Sequence, residues 1–321
     1  MEKSNKIIRR CIFCSSDDYR PMFKYTYEFL TKVRSHKAES LLNQKGWAKD
    51  VTSTIVKCRK CGCNYIRDVV PLSKERTPYK KERFMETQLK LDTFRKYKLR
   101  DDLNWIVRNL IVLASKNNKR DIKFLDFGSG GATACNFARA YGIRDVVAYD
   151  PNYIGDFEEN LNLINYPGIV YINSKNKLLE FGEFDVVIFK SAIEHVLDPR
   201  HELAIVYKIM SKGAYLYINN PIMDLDREIH ELTEANKIIK KDKLSYYHPG
   251  HLNYMKPKMF SRMIRETGFE IKPMVFIYPP VPFERDNIKS YLISKIKHSI
   301  RYVQIILGIM KSRYVFIVQK P

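Results

Sequence analysis

Residues 122–131 read IKFLDFGSGG, an apolar run that contains Asp126 and is followed at once by a glycine-rich turn. Such a run predicts a buried strand, and residues 132–141 predict a helix after the turn. Glycine lets the backbone approach a ligand closely, and the first N–H groups of a helix can bind polar ligand atoms. Strand, glycine turn and helix together predict an α/β unit that binds a nucleoside beside the strand ends.

A second strand supports the same interpretation. Residues 146–150 read VVAYD, and Asp150 follows Gly130 by 20 residues. A carboxylate at this place can accept hydrogen bonds from both hydroxyls of a ribose. A dinucleotide is not the predicted ligand, because its binding pattern requires a third glycine where this chain has Thr133.

The motif Asp126-x-Gly128-x-Gly130 resembles the first motif of the class I S-adenosylmethionine-dependent methyltransferases. Residues 184–189 (FDVVIF) are similar to the fourth strand of that fold. Residues 190–199 (KSAIEHVLDP) are similar to its Glu-His-Val-x-Asp-Pro segment. The motifs are specific for the cofactor and carry little information on the substrate.

This resemblance covers about residues 121–283 and 314–321, and it implies both a fold and a cofactor site. The implied fold is α/β, with a Rossmann-like seven-stranded methyltransferase sheet. In that family the glycine loop passes under the methionine part of the cofactor, and the acid that closes the second strand, here Asp150, holds the ribose. The implied S-adenosylmethionine-binding residues are Asp126, Phe127, Gly128, Ser129, Gly130, Asp150, Pro151, Lys190 and Ser191.

Two C-x2-C pairs, Cys11/Cys14 and Cys58/Cys61, are separated by 43 residues. Each pair places two thiolates on one side of a tight turn, so the two pairs together predict a four-cysteine Zn²⁺ site in an N-terminal zinc ribbon. Because protein fills all four positions, the ion would be structural. Cys63 is an alternative ligand, and ordinary buried thiols are the alternative to any metal.

A zinc ribbon ahead of such a domain resembles the sugar methyltransferases of deoxysugar and surface-polysaccharide pathways. In the C-methyltransferases of that group a Tyr-x-Glu-His segment contributes to proton handling. This chain reads YYHPGH over residues 246–251, so Gly250 stands where the Glu would be and His248 where the Tyr would be. This departure favours methylation of a hydroxyl over methylation of a carbon.

Two histidines are candidates for the general base. A methyltransferase with an activated donor must align its nucleophile and remove a proton from it, and a neutral imidazole suits that task. His195 follows the fourth predicted strand, and His251 lies in a loop that approaches the same rim. Glu194 and His248 are secondary candidates. A capping or packing role for His195 is the alternative.

The chain is predicted to have three parts. Residues 1–71 are the zinc ribbon, residues 72–120 a helical linker or cap, and residues 121–321 the cofactor-binding domain. Hydrophobic residues make up 45% of the chain, which excludes bulk disorder. Residues 1–120 hold 29 Lys/Arg against 13 Asp/Glu, and residues 284–321 hold 8 against 2. These basic flanks favour a phosphate-bearing partner, although a generally lysine-rich surface would look the same.

A basic amphipathic helix is predicted for residues 284–313, inserted between the last two strands. It would pack on its own domain or on a dimer mate, with docking on an anionic membrane as the alternative. No stretch is long and apolar enough for a transmembrane helix, and residues 1–6 show no secretory signal. A cytoplasmic protein is therefore expected, peripheral on the inner membrane face if this helix docks there.

The predicted activity is S-adenosylmethionine-dependent methylation of a sugar hydroxyl, on a nucleotide sugar or a surface glycan. Three alternatives are kept. Zinc with a net charge of +20 would also fit an RNA methyltransferase. A small-molecule O-methyltransferase acting on a quinone or phenol is the second. The third is a non-catalytic binding protein that keeps the fold.

Overall fold

The computed structural model describes residues 7–26, 52–69, 102–116, 121–151, 166–220, 251–272 and 314–321. The chain divides into two compact units, each made of segments that are not contiguous in sequence. The ribbon unit comprises Met1–Lys80, Ala192–Ile205 and Asn220–Thr267. The sheet unit comprises Lys81–Ser191, Val206–Asn219 and Gly268–Pro321. The boundaries predicted at 71 and 120 stay a prediction.

A seven-stranded sheet forms the centre of the sheet unit. Its strands are β6 (Lys123–Phe127), β7 (Asp145–Tyr149), β8 (Ile169–Ile172), β9 (Phe184–Lys190), β10 (Met210–Asn220), β12 (Glu270–Lys272) and β13 (Tyr314–Gln319). Their order in the sheet is β12-β13-β10-β9-β6-β7-β8, as the fold class predicted from the sequence requires. The pairs β10/β9, β9/β6, β6/β7 and β7/β8 are parallel, and β12/β13 is antiparallel.

The central strands are apolar because the sheet is covered on both faces. In β9, six consecutive residues of the FDVVIF run are buried. Helices α1 (Asp102–Ser115) and α2 (Thr133–Ala140) bury Val107, Leu110 and Phe137 in one cluster with β6 and β7. The predicted linker 72–120 is therefore helical over α1, which packs in the core. Its residues 72–101 and 117–120 lie outside the described part of the chain.

Three further helices are described. Helix α3 (Lys175–Glu180) is short, α4 (Pro199–Ile209) begins at the proline of the predicted Asp-Pro pair, and α5 (Pro257–Glu266) also has proline in its first turn. Proline is tolerated there because the first N–H groups of a helix have no intrahelical partner.

The ribbon unit holds a four-stranded antiparallel sheet of order β11-β4-β3-β2. Its strands are β2 (Tyr19–Thr26), β3 (Thr52–Cys58), β4 (Asn64–Ile66) and β11 (Asn253–Tyr254); β1 (Ile7–Ile8) pairs separately with β5 (Asp68–Val69). His251 was predicted to lie in a loop of the cofactor-binding domain. Two residues later the chain forms the edge of the ribbon sheet instead, because Asn253 pairs with Tyr65.

Two predicted features cannot be placed. The amphipathic helix at 284–313 and His248 lie outside the described residues. Within the described ranges, no helix combines the length and the apolar character that crossing a bilayer requires.

Candidate active site

The glycine turn after β6 is fastened to the end of β7. The N–H groups of Gly128 and Ser129 both donate to the carbonyl of Tyr149, at 2.8 and 3.0 Å. The N–H of Gly130 donates to a carboxylate oxygen of Asp150 at 3.0 Å. Gly130 has φ +50°, and a Cβ built there would meet no atom within 4 Å. The turn therefore faces open space that a side chain would occupy, as a ligand cradle requires.

Two buried carboxylates flank this turn. Asp126 in β6 and Asp150 after β7 are each 6% exposed. Burial raises the pKa of Asp126 to about 7, against the opposing effect of the Lys190 ammonium; the Asp150 carboxylate raises it further. Asp150 has the chemistry needed to accept hydrogen bonds from ribose hydroxyls, so the predicted residues fit an S-adenosyl group.

The other predicted cofactor residues surround the same strand ends. The ring of Phe127 is buried between Tyr149 and Phe189, with centroids 4.8 Å from each. Ser191 has φ +52°, and its N–H donates to the side-chain oxygen of Asn219 at 2.7 Å. Sequence reasoning missed Asn219 as a site residue. Asn219 is the last residue of β10 that belongs to the sheet unit. Lys190 and Pro151 are exposed.

The four predicted metal cysteines come together in the ribbon. The Sγ atoms of Cys11 and Cys61 are 3.4 Å apart, and those of Cys14 and Cys58 are 3.5 Å apart. All four Sγ atoms lie within 4.8 Å of one another. A tetrahedron of Zn–S bonds of about 2.3 Å has sulfurs about 3.8 Å apart, so this donor set fits zinc.

Local backbone geometry explains why the cysteines converge. Cys58 N–H donates to Cys63 O at 2.8 Å, and Gly62 N–H donates to Cys58 O at 2.9 Å with φ +76°. Each knuckle is thus a tight turn closed by its own backbone. Burial raises the pKa values of the Cys14 and Cys61 thiols, and a divalent cation would oppose this shift by stabilising the thiolates.

The two candidate base histidines also meet, and they do so in the ribbon unit. The rings of His195 and His251 make an edge-to-face contact with centroids 4.8 Å apart. Glu194 Oε1 lies 3.9 Å from His195 Nε2. The His195 side chain is 39% exposed, whereas that of Glu194 is 2% exposed. We call Glu194, His195 and His251 the histidine cluster. Their side chains can exchange protons, and the spacing of their ligand atoms also fits a divalent cation.

The carboxyl group of Glu194 is in an unfavourable environment for a charge. Burial raises its pKa to about 7. Its Oε2 has no hydrogen-bond partner among the described residues. A buried carboxyl of this kind holds a proton near neutrality, and functional sites are enriched in such groups.

The profile of a family described as a methyltransferase domain matches residues 92–273, more than half of the chain. The chain belongs to this methyltransferase family. It is an S-adenosylmethionine-dependent methyltransferase with the Rossmann-like sheet described above. No curated protein matches the sequence.

Two solved methyltransferase structures are similar to this chain at low identity. An S-adenosylmethionine-dependent methyltransferase from Archaeoglobus fulgidus is 16% identical, with 71% of this chain and 99% of that chain covered and a TM-score of 0.40. One from Mesorhizobium loti is 13% identical, with 69% and 99% covered and a TM-score of 0.42. At these values neither structure bears on the substrate.

Sequence reasoning also missed two buried polar residues of the ribbon unit, Arg9 and Asn253. They are 7% and 1% exposed. Asn253 lies two residues after His251, and this proximity was the signal that could have found it. Arg9 gave no such signal, because it stands beside Arg10 in a segment rich in basic residues.

Proposed function

We propose that this methyltransferase transfers a methyl group to a hydroxyl of a sugar, on a nucleotide sugar or a surface glycan, with a histidine as general base. The histidine cluster is the single observation that carries the proposal. A half-exposed imidazole lies beside a buried carboxyl group, and a second imidazole lies against the first. Methyl transfer to a hydroxyl needs a proton acceptor, whereas a cofactor-binding protein without activity needs none.

In this proposal, the predicted cofactor residues bind S-adenosylmethionine and orient it. Bound S-adenosylmethionine supplies an activated methyl group. The Asp150 carboxylate would accept hydrogen bonds from the ribose hydroxyls, and the Gly130 turn would leave room for the amino-acid part. Lys190 is the last residue of β9 and Ser191 follows it, and His195 comes four residues after Ser191 in the chain.

His195 is our choice for the base, with His251 as its neighbour. The His195 imidazole would accept the hydroxyl proton while the hydroxyl oxygen bonds to the methyl carbon and the bond between that carbon and the sulfur of the donor breaks. The imidazolium that forms is stabilised by the Glu194 carboxylate, whose Oε1 lies 3.9 Å from Nε2. Because the pKa of Glu194 is raised to about 7, this stabilisation is present above that pH and is lost below it.

The remaining parts of the proposal concern zinc and the substrate class. We place a structural Zn²⁺ on Cys11, Cys14, Cys58 and Cys61, where it would hold the two knuckles and take no part in the chemistry. A sugar carrying phosphate suits the excess of Lys and Arg in residues 1–120. The resemblance to sugar methyltransferases with N-terminal ribbons supports the same class.

A labelled-methyl transfer screen against nucleotide sugars, glycans and RNA tests the proposal. We expect a nucleotide sugar or glycan to accept label, and His195→Ala to abolish transfer while His201→Ala, a change at an exposed histidine of α4, leaves it intact. Full turnover in both His195→Ala and His251→Ala would refute a histidine base. If RNA alone accepts the label, the substrate is a nucleic acid and not a sugar. Dependence on added Mn²⁺ would reassign the histidine cluster to metal binding.

A further inference from the structure

The ribbon holds the histidine cluster through a small set of buried polar contacts. We infer that Arg9 and Asn253 are positioning residues that fix His195 against His251, so that the N-terminal ribbon sets the geometry of the proposed base. This inference rests on the proposed function, because it gives the ribbon a part in the reaction rather than in folding alone.

Arg9 joins three separate segments of the ribbon unit with one side chain. Its Nη2 donates to Leu197 O and to Asn253 Oδ1, both at 2.6 Å. Its Nη1 donates to Ile66 O at 3.0 Å and to Leu252 O at 3.3 Å. The segment after His195, the end of β4 and the segment after His251 therefore share one guanidinium group.

Asn253 continues this connection toward His195. Its Nδ2 donates to Ile193 O at 3.0 Å and to Val196 O at 2.7 Å. These two carbonyls lie on either side of His195 in the chain. The amide group therefore clamps the short 3₁₀ turn Ile193–His195, while its oxygen receives the Arg9 hydrogen bond.

Backbone contacts carry the clamp to the second histidine. Leu252 N–H donates to Glu194 O at 2.7 Å, and Ile66 N–H donates to Leu252 O at 2.9 Å. His251 directly precedes Leu252, so the same hydrogen bonds hold its backbone beside that of Glu194. The ring contact between His195 and His251 follows from this pairing of backbones.

The first cysteine knuckle holds the far end of the same segment. Arg200 Nη2 donates to Phe13 O at 2.9 Å and to Glu266 Oε2 at 2.7 Å. The Arg200 guanidinium also lies 5.0 Å from the centre of the Phe13 ring. Because Phe13 stands between Cys11 and Cys14, loss of the knuckle would release the segment that carries His195.

Stability alone does not account for Arg9. The hydrogen bonds of its Nη1 and Nη2 go to carbonyl and amide oxygens, and burial lowers its pKa to about 10, which still leaves it charged at neutral pH. Its Nε is buried without a partner among the described residues. Burying a cation in this way is costly, and an apolar side chain would often serve packing better. What the guanidinium adds is a fixed geometry for several backbone segments at once.

The experiment compares Arg9→Lys and Asn253→Asp with matched controls. Lysine keeps the charge but loses the planar fork, and aspartate keeps the shape but loses both donors. Arg10→Lys is the control for Arg9, since its neighbour Arg10 has a side chain that is 72% exposed. Asn109→Asp is the control for Asn253, because Asn109 lies on α1 in the sheet unit.

The readout is the NMR spectrum of the histidine rings in the zinc-loaded full chain, titrated with pH. His195→Ala and His251→Ala assign the two resonances. We expect Arg9→Lys and Asn253→Asp to shift both resonances and their titration midpoints, with no shift in the two controls. Calorimetry should show S-adenosylmethionine affinity unchanged within about twofold, because the cofactor residues are untouched. Resonances and midpoints that stay at their wild-type values in folded Arg9→Lys and Asn253→Asp overturn the inference.

Failure of this inference can be distinguished from failure of the proposed function. The spectra need no acceptor, so they report on the clamp even if the predicted sugar proves wrong. If an acceptor is found, displacement of the base by about 1 Å should lower turnover by about 100-fold. Shifted spectra with wild-type turnover would show that the clamp exists but that the histidines are not the base.

Discussion

Replacing Glu194 by Gln should change the pH dependence of stability, and the size of the change follows from its burial. Burial raises the pKa of this carboxyl from 4.5 to about 7 in the folded protein. The folded state then keeps a proton that the unfolded chain loses above about pH 4.5. The protonated carboxyl therefore makes its whole contribution to the free energy of unfolding below pH 4.5, and this contribution falls as the pH rises to 7. At about 1.4 kcal/mol per pKa unit, the total loss is about 3 kcal/mol.

Glutamine has nearly the same shape and does not titrate. The free energy of unfolding of Glu194→Gln should therefore gain about 3 kcal/mol relative to wild type between pH 4.5 and pH 8. Urea unfolding at those two pH values, followed by circular dichroism, measures the difference. Among the described residues, His195 and His251 lie close to Glu194, so the same pair of measurements in a His195→Ala background separates the contribution of His195.

Glu270→Gln is the matched control. Its carboxylate is 55% exposed in an ion pair with Lys272, and such pairs contribute at most about 1 kcal/mol. The difference in unfolding free energy between Glu270→Gln and wild type should therefore change little between pH 4.5 and pH 8. If Glu194→Gln tracks wild type at both pH values, the carboxyl does not hold a proton near neutrality in the folded state, and the loss of imidazolium stabilisation expected below about pH 7 fails with it.

Three further predictions concern zinc and the cofactor. Cys11→Ser should reduce bound zinc from one equivalent to less than about a tenth, measured by atomic absorption, whereas Cys63→Ser should keep it, because the Cys63 sulfur lies outside the group of four. Asp150→Ala should weaken S-adenosylmethionine binding by about 10- to 100-fold in calorimetry, since it removes charge-assisted hydrogen bonds worth about 1.5–3 kcal/mol. Gly130→Ala and Gly142→Ala both force alanine to positive φ and should each lower stability by about 1–2 kcal/mol, but only Gly130→Ala should weaken cofactor binding. Equal cofactor affinity in the two glycine variants would remove the turn from the site.

The cofactor half of the molecule could be predicted from short stretches of sequence. The strand that contains Asp126, the glycine turn and the strand that leads to Asp150 each have a local pattern, because a buried strand needs a continuous apolar run and a close backbone approach needs glycine. The two cysteine knuckles are equally local. Their convergence followed from the ligand number that zinc requires.

The histidine pair was predicted residue by residue, but its surroundings were not. Arg9 and Asn253 are 244 residues apart in the chain and hydrogen-bond at 2.6 Å. Neither residue type is rare, and although Asn253 lies close to His251 in the chain, nothing in the sequence marks Arg9 as its partner. The pairing of β11 with β4 was also not predicted. An edge strand of two residues is too short to show the alternation of apolar and polar residues that indicates a strand.

By itself, the sequence determined the sheet, the glycine turn, the two acids beside it and the cysteine knuckles, because each depends on side chains close together along the chain. Only the tertiary structure decided that Glu194, His195 and His251 share one cluster, and that the ribbon clamps it through Arg9 and Asn253. Hydrogen bonds between distant segments form where folding brings a buried donor to a buried acceptor, and burial depends on the packing of the whole unit.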